Sequence, residues 1–260
     1  MFPFDQNAEF KRLTHPPIVE AVIRWHARAE RPLEEKLLRA TVAERIPRLT
    51  NVGLIQQIGY STRFVPGSQP EVVASQGESF SGLRFSSADN REIVQFRKDG
   101  LIYSHTQGYD HWDGFVERAM QTWELFREIA KPEEVSSLGV RFINHIPAAQ
   151  PANIHHYLRD PPAAPPGLLL ADFVYQSTFD LPGRPFKIRI IQVMQDKAND
   201  SGPTSGLFLD IDVIRTAPVA LSGISLQDAL QEMRQLKNTA FFTLIADAAI
   251  ESFSSSETSP

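Results

Sequence analysis

Residues 14–28 alternate with a period of two behind a pair of prolines. Val19, Ala21, Ile23, Trp25 and Ala27 occupy one phase, while Glu20, Arg24, His26 and Arg28 occupy the other. Successive side chains of a strand point to opposite faces, so the stretch predicts a strand with one core face and one charged face. From Pro32 the period lengthens. Leu33, Leu37, Leu38, Val42 and Ile46 recur at helical spacing, and Pro47 marks the stop. Period two returns over 54–65, where Leu54, Ile58, Tyr60 and Phe64 share a phase, and short strands are predicted at 82–86, 91–97 and 101–106 with turn formers between them. Phe115, Ala119, Trp123, Phe126 and Ala130 then form a helical stripe that Pro132 ends, and 138–146 reads as a further strand.

Six of the chain's 19 prolines fall in 147–167, with room for one short helix around 152–158, which predicts a joint between two halves. Beyond it the logic repeats. Strands are predicted at 170–181, 186–195 and 207–215. A closing helix is opened by Ser225 and Asp228 and carried by Leu226, Leu230, Met233, Phe241, Leu244 and Ala248 to about Ser252. The expected fold class is α+β: antiparallel sheets in two similar meander-plus-helix units, 1–146 and 168–260, packed as one body with long helices on one face.

Composition narrows the function classes. A chain of 260 residues that is 42% hydrophobic can bury a full core. Its formal net charge of -5, without a long basic run, makes nucleic acid an unfavoured partner. The absence of cysteine excludes disulfides, thiolate metal sites and a cysteine nucleophile. No leader-like start and no apolar run long enough to span a bilayer occur, so no membrane partner is expected and a cytoplasmic location is the expectation. Phosphate-binding loops, dinucleotide fingerprints and nucleophile elbows are missing from the sequence as well.

Three groups of residues carry candidate chemistry. Asp210 and Asp212, two apart on a strand, share a face and have the spacing to hold Mg²⁺ or Mn²⁺ together, but the turn and helix that precede such pairs in nucleotidyl-transfer enzymes are not there. Asn144 falls on the apolar phase of its strand with Val140, Phe142 and Ile146, where a buried amide must find partners or read a ligand. Glu20 and Arg24 lie on the charged phase of the first strand. Beside Arg84, Arg97, Arg141, Lys187 or Arg189 of other strands they make a basic groove for an anionic ligand, or else a solvated face with cross-strand ion pairs. His155 and His156 diverge on a helix, and His111 sits between Asp110 and Asp113 at a helix start, so no zinc site is expected.

The stretches HPPIVEAVI (15–23), VRFINHI (140–146), LFLDIDV (207–213) and LKNTAFFTLIADAAIESF (236–253) together resemble a sporadically distributed, uncharacterised bacterial family whose members begin with a Pro-Pro-Ile-x-Glu strand and carry an Arg-Phe-x-Asn-x-Ile strand. The chain differs from that pattern at Leu244, Ile245 and Ala246, where a more polar turn is usual. The resemblance implies an accessory role in a toxin–antitoxin or anti-phage system. It supplies no catalytic residues or cofactor.

The leading expectation is a non-catalytic binding or regulatory protein. It would recognise a protein partner or a small anionic ligand through the polar sheet face formed by Glu20, Arg24, Arg141, Asp210 and Asp212, with Asn144 on the opposite phase, and could form a homodimer through a strand edge or the closing helix. The alternative is a metal-dependent phosphoryl-transfer or phosphohydrolase enzyme using Asp210 and Asp212. The two diverge on geometry: an enzyme needs the acids free at a pocket mouth, and arginine pairing across strands removes the metal site.

Overall fold

The computed structural model describes residues 4–63, 71–109, 111–195 and 205–254, with side chains outside 57–79. In chain order the strands are β1 (Ile18–His26), β2 (Leu49–Arg63), β3 (Glu71–Ser87), β4 (Glu92–Arg97), β5 (Gly100–Thr106), β6 (Ser137–Ile146), β7 (Phe173–Asp180), β8 (Phe186–Gln195) and β9 (Gly206–Arg215). The helices are α1 (Glu35–Arg45), α2 (Trp112–Ala130), α3 (Ile154–Tyr157), α4 (Gly223–Leu244) and α5 (Asp247–Ser252). All these strands belong to one antiparallel sheet in the order β2-β3-β4-β5-β1-β6-β9-β8-β7. The fold is α+β.

The apolar phases meet the helices. Ala21, Ile23 and Trp25 of β1, Val140 and Phe142 of β6, and Leu209, Ile211 and Val213 of β9 are all buried. Trp25 stacks on Trp123 of α2 with ring centroids 5.5 Å apart, and Tyr103 of β5 meets Phe115 of the same helix at 5.5 Å. Helix α4 turns Leu226, Leu230, Met233 and Leu236 into this core at three- and four-residue intervals. At the start of β5 the backbone passes so close to β1 that a Cβ on Gly100, whose φ is +147°, would run into the Trp25 carbonyl.

β1 and β6 lie side by side, with Val22 opposite Arg141 and Arg24 opposite Gly139. β6 in turn pairs with β9 from Leu138↔Arg215 to Ile146↔Leu207, so strands of both sequence halves share hydrogen bonds. The Pro-rich segment 147–167 leads from the middle of the sheet toward its edge strand β7.

Several boundaries differ from the sequence expectation. β2 and β3 form a longer hairpin than 54–65 and 82–86 implied, because polar residues such as Asn51, paired with Ser86, keep the ladder without an apolar alternation. Phe64 and Asp110 lie outside the described residues, as do the side chains of Ile58 and Tyr60. The cap of α4 is Ser222 rather than Ser225: the Ser222 hydroxyl accepts the Ser225 backbone N–H at 3.2 Å. The closing helix also does not run unbroken to Ser252. Ile245 takes φ -80° and ψ 134° and pairs with Leu158, Arg159 N–H donates to the Leu244 carbonyl (2.9 Å) and Ala246 N–H to the Tyr157 carbonyl (3.0 Å), after which α5 begins. Ile245 and Ala249 are both buried, so the apolar pattern continues through a break that the hydrogen bonds create.

Candidate functional site

On the sheet face turned away from α2 and α4, the charged residues of β1, β6, β8 and β9 interlock. Arg141 lies across from Asp212 on the neighbouring strand, and Asp212 lies across from Arg189 on the next. The arginines reach diagonally as well as directly. Arg24 Nη2 donates to both oxygens of Asp212 at 2.8 and 2.7 Å, and Arg189 Nη2 donates to Asp212 Oδ2 at 2.6 Å. Arg141 grips Asp210 with Nε at 2.9 and 3.0 Å from its oxygens and Nη2 at 2.6 Å. The Asp212 side chain is 1% exposed, whereas those of Arg24 and Arg189 are 24% and 33% exposed, so the cations form a wet cover over a dry carboxylate. The hydrogen bonds that Arg141 donates to Asp210, and after them the charges of Asp210, Asp212 and Glu20, hold Arg141 above the ordinary guanidinium pKa.

Glu20, Arg24, Arg141, Asp210 and Asp212 are thus brought to one face. The result is a balanced ion-pair network rather than an acidic mouth. Three guanidiniums meet two aspartates with Glu20 nearby, and the lone pairs that a divalent cation needs are taken by N–H donors. Among the described residues no group of three His, Asp or Glu side chains is arranged to hold a metal.

Asn144 goes to the other face, as its phase predicts, and is 2% exposed. Its Nδ2 donates to the Leu209 carbonyl at 3.0 Å, and the residue borders a cavity. This cavity of about 410 Å³ lies between the N-terminal segment, the start of α2 and the middle of α4. The N-terminal segment is tied across the helix side by His15 N–H to the Phe253 carbonyl (2.8 Å) and by the Phe10 ring stacked on Phe242 at 5.2 Å. The Trp112 ring lines the cavity and packs on the buried Phe142 ring, with centroids 6.3 Å apart. Each ring carries a cation. Lys237 Nζ stands 4.2 Å from the Phe142 centroid, and the Arg234 guanidinium carbon stands 5.6 Å from that of Trp112. Lys237 is half-buried and borders the cavity; burial first, and the Arg234 charge second, press its pKa down to about 7. Among the described residues, no carboxylate pairs with Lys237 or Arg234, although Asp113 borders the same space.

No family model matches this chain, and no curated protein does. The site therefore rests on geometry.

Sequence reasoning placed Asn144 on the correct face but passed over Lys237, Arg234 and Trp112. One signal was available. Leu230, Met233, Lys237, Phe241 and Leu244 follow one helical stripe, and a lysine in the middle of it is a charge on a buried line. His111, expected in a capping cluster, stands at the N-cap of α2 with Asp113 in the first turn, and its side chain makes no cap bond there.

Proposed function

We propose that this chain is a binding protein for a small organic anion with an apolar or aromatic body, and that the ligand sits in the cavity between the N-terminal segment, α2 and α4. The observation that carries the reading is the pair of cations, Arg234 and Lys237, held over adjacent aromatic rings without a carboxylate partner among the described residues. Both cations are half-buried, and a bound carboxylate or phosphate would supply the counterion they lack among the described residues. Phe10, Leu13, Trp112 and Phe241, which line the cavity, suit the apolar part of such a ligand, as binding sites generally combine an apolar lining with few polar anchors. The reading keeps the expected class of ligand and moves its site from the polar sheet face to the opposite side. The test is a thermal-shift titration with benzoate, phenylacetate and phenyl phosphate against wild type, Arg234→Met and Lys237→Met. A ligand at 100 times its Kd adds about 2.7 kcal/mol of stability. Shifts in wild type that disappear in both variants support the cavity; none with any probe refutes it.

The second reading, a protein partner, is favoured by the helix-free face, where Ile93, Ile102, Ile143 and Ile214 are half-buried around the ion-pair network. If a second copy is that partner, light scattering will give twice the monomer mass, and Ile143→Glu will halve it. The two halves are read as similar units across the β1–β6 pair. The support is the strand order, in which β5 flanks β1 and β9 flanks β6.

A further inference from the structure

Arg234 and Lys237 lie three residues apart on α4 and so emerge on the same side of the helix, over rings that are themselves neighbours. An amine in that position differs from a surface lysine in three ways. It stands over an aromatic ring, it borders a cavity, and the charge that acts on it is another cation, Arg234. Desolvation and an adjacent cation are the two devices by which a lysine is kept neutral and nucleophilic. A simple anion-binding site would need only the permanent charge of Arg234; a second group able to lose its charge beside it adds a chemistry that a guanidinium lacks.

We propose that Lys237 captures the carbonyl carbon of a 2-oxo acid with an apolar or aromatic side chain as a reversible imine, with Arg234 holding the acid's carboxylate. The inference rests on the reading of the cavity as a small-anion site and adds the ligand's reactive group. In the step, the lone pair of neutral Lys237 Nζ attacks the carbonyl carbon and gives a carbinolamine. The C–O bond then breaks, both amine hydrogens leave with the oxygen as water, and the C=N bond forms. Nothing is oxidised or reduced, and addition of water reverses it. Arg234 is the positioning residue: a carboxylate on its guanidinium brings the adjacent carbonyl toward Lys237, three residues on along α4 at the same cavity.

At pH 7 an amine with a pKa of about 7 is about half neutral. This neutral fraction is about a thousandfold larger than that of an ordinary lysine, so modification concentrates on one residue. The experiment uses the full chain with phenylpyruvate as probe and sodium borohydride as trap, phenyllactate as the control without a carbonyl, and peptide mapping by mass spectrometry. The expected result is a borohydride-dependent adduct on the peptide that contains Lys237, absent with phenyllactate and absent in Lys237→Met, with thermal shifts from both acids in wild type. Arg234→Met should reduce labelling at low probe concentration and recover it at high concentration, which a purely structural role would not produce. Thermal shifts from both acids with no adduct on Lys237 would overturn the imine and leave the anion site standing. Absence of both shift and adduct would remove the two together. Labelling spread over surface lysines, and unchanged in Lys237→Met, would also overturn it. Because the adduct is mapped on wild type, the result stands even if a variant folds poorly.

Discussion

Replacing Asp212 with asparagine tests whether the buried carboxylate is scaffolding. The change keeps the shape but removes the charge and points an amide N–H₂ at guanidinium donors. Three hydrogen bonds of 2.8, 2.7 and 2.6 Å from Arg24 and Arg189 are lost or weakened. Removing one partner of a fully buried pair costs about 3–5 kcal/mol. Arg24 and Arg189, at 24% and 33% exposed, recover part of their hydration, which brings the expected loss to about 2–4 kcal/mol. With an unfolding entropy of about 2.1 cal/mol/K per residue, Tm should fall by about 4–7 °C in differential scanning calorimetry. Asp210→Asn, whose carboxylate is 10% exposed and held by Arg141 alone, should cost less. Replacing Arg24, Arg189 and Asp212 together with Met, Met and Leu should recover most of the loss, since apolar side chains dispense with the desolvation of three charges. An Asp212→Asn protein as stable as wild type, or more so, would refute the reasoning, because relief of acid–acid repulsion is the signature of a vacant cation site.

Two further predictions concern other parts of the molecule. A Cβ at Gly139 would stand 3.0 Å from Arg24 Nε and Nη2, so Gly139→Ala should push the guanidinium off Asp212. Its cost, about 1–2 kcal/mol by urea denaturation, should shrink in an Arg24→Ala background, and equal costs in both backgrounds would disprove the link. The second is a pH dependence. Lys237 binds its proton less tightly folded than unfolded, so between about pH 7 and 10 the unfolded chain holds more protons and stability rises with pH. His105, lowered first by burial and then by Arg118, acts only below its ordinary 6.5, and Tyr103, pushed up by burial and Glu92, subtracts only near and above pH 10. The rise from pH 7 to 9 should therefore vanish in Lys237→Met; persistence of the full rise would sink the assignment.

Much of the fold was legible because both phases of each strand carried a message. In β1 the apolar phase was continuous from Val19 to Ala27 while the other phase carried Glu20, Arg24 and His26, interrupted only by Val22, and in β9 the spacing of Asp210 and Asp212 placed them on one face whatever their neighbours were. Their arginine partners were legible as candidates but not as pairs, since periodicity says which way a side chain points and is silent about which strand lies alongside. The break at Ile245 was illegible for a different reason: the apolar stripe runs through it, and the backbone turns because Tyr157 and Arg159, far away in sequence, offer hydrogen-bonding partners on either side of Leu158. The cavity was hardest to read. Its wall is assembled from segments near residues 10–18, 109–113, 144 and 234–242, and only the lysine on the stripe of α4 hinted at it.

The ion pair between Arg24 and Asp212 joins residues 188 apart in the chain. At about 5–20 residues per second of synthesis, β1 leaves the ribosome on the order of 10–40 s before the strand that completes its charged network. For the first part of that interval its apolar phase lacks α2 and β6, and for all of it Arg24 lacks the Asp212 carboxylate. The sheet closes from the inside late, around a strand made first. Mutations that weaken Asp212 will therefore lower the yield of folded chains during synthesis as well as the melting temperature of those that finish.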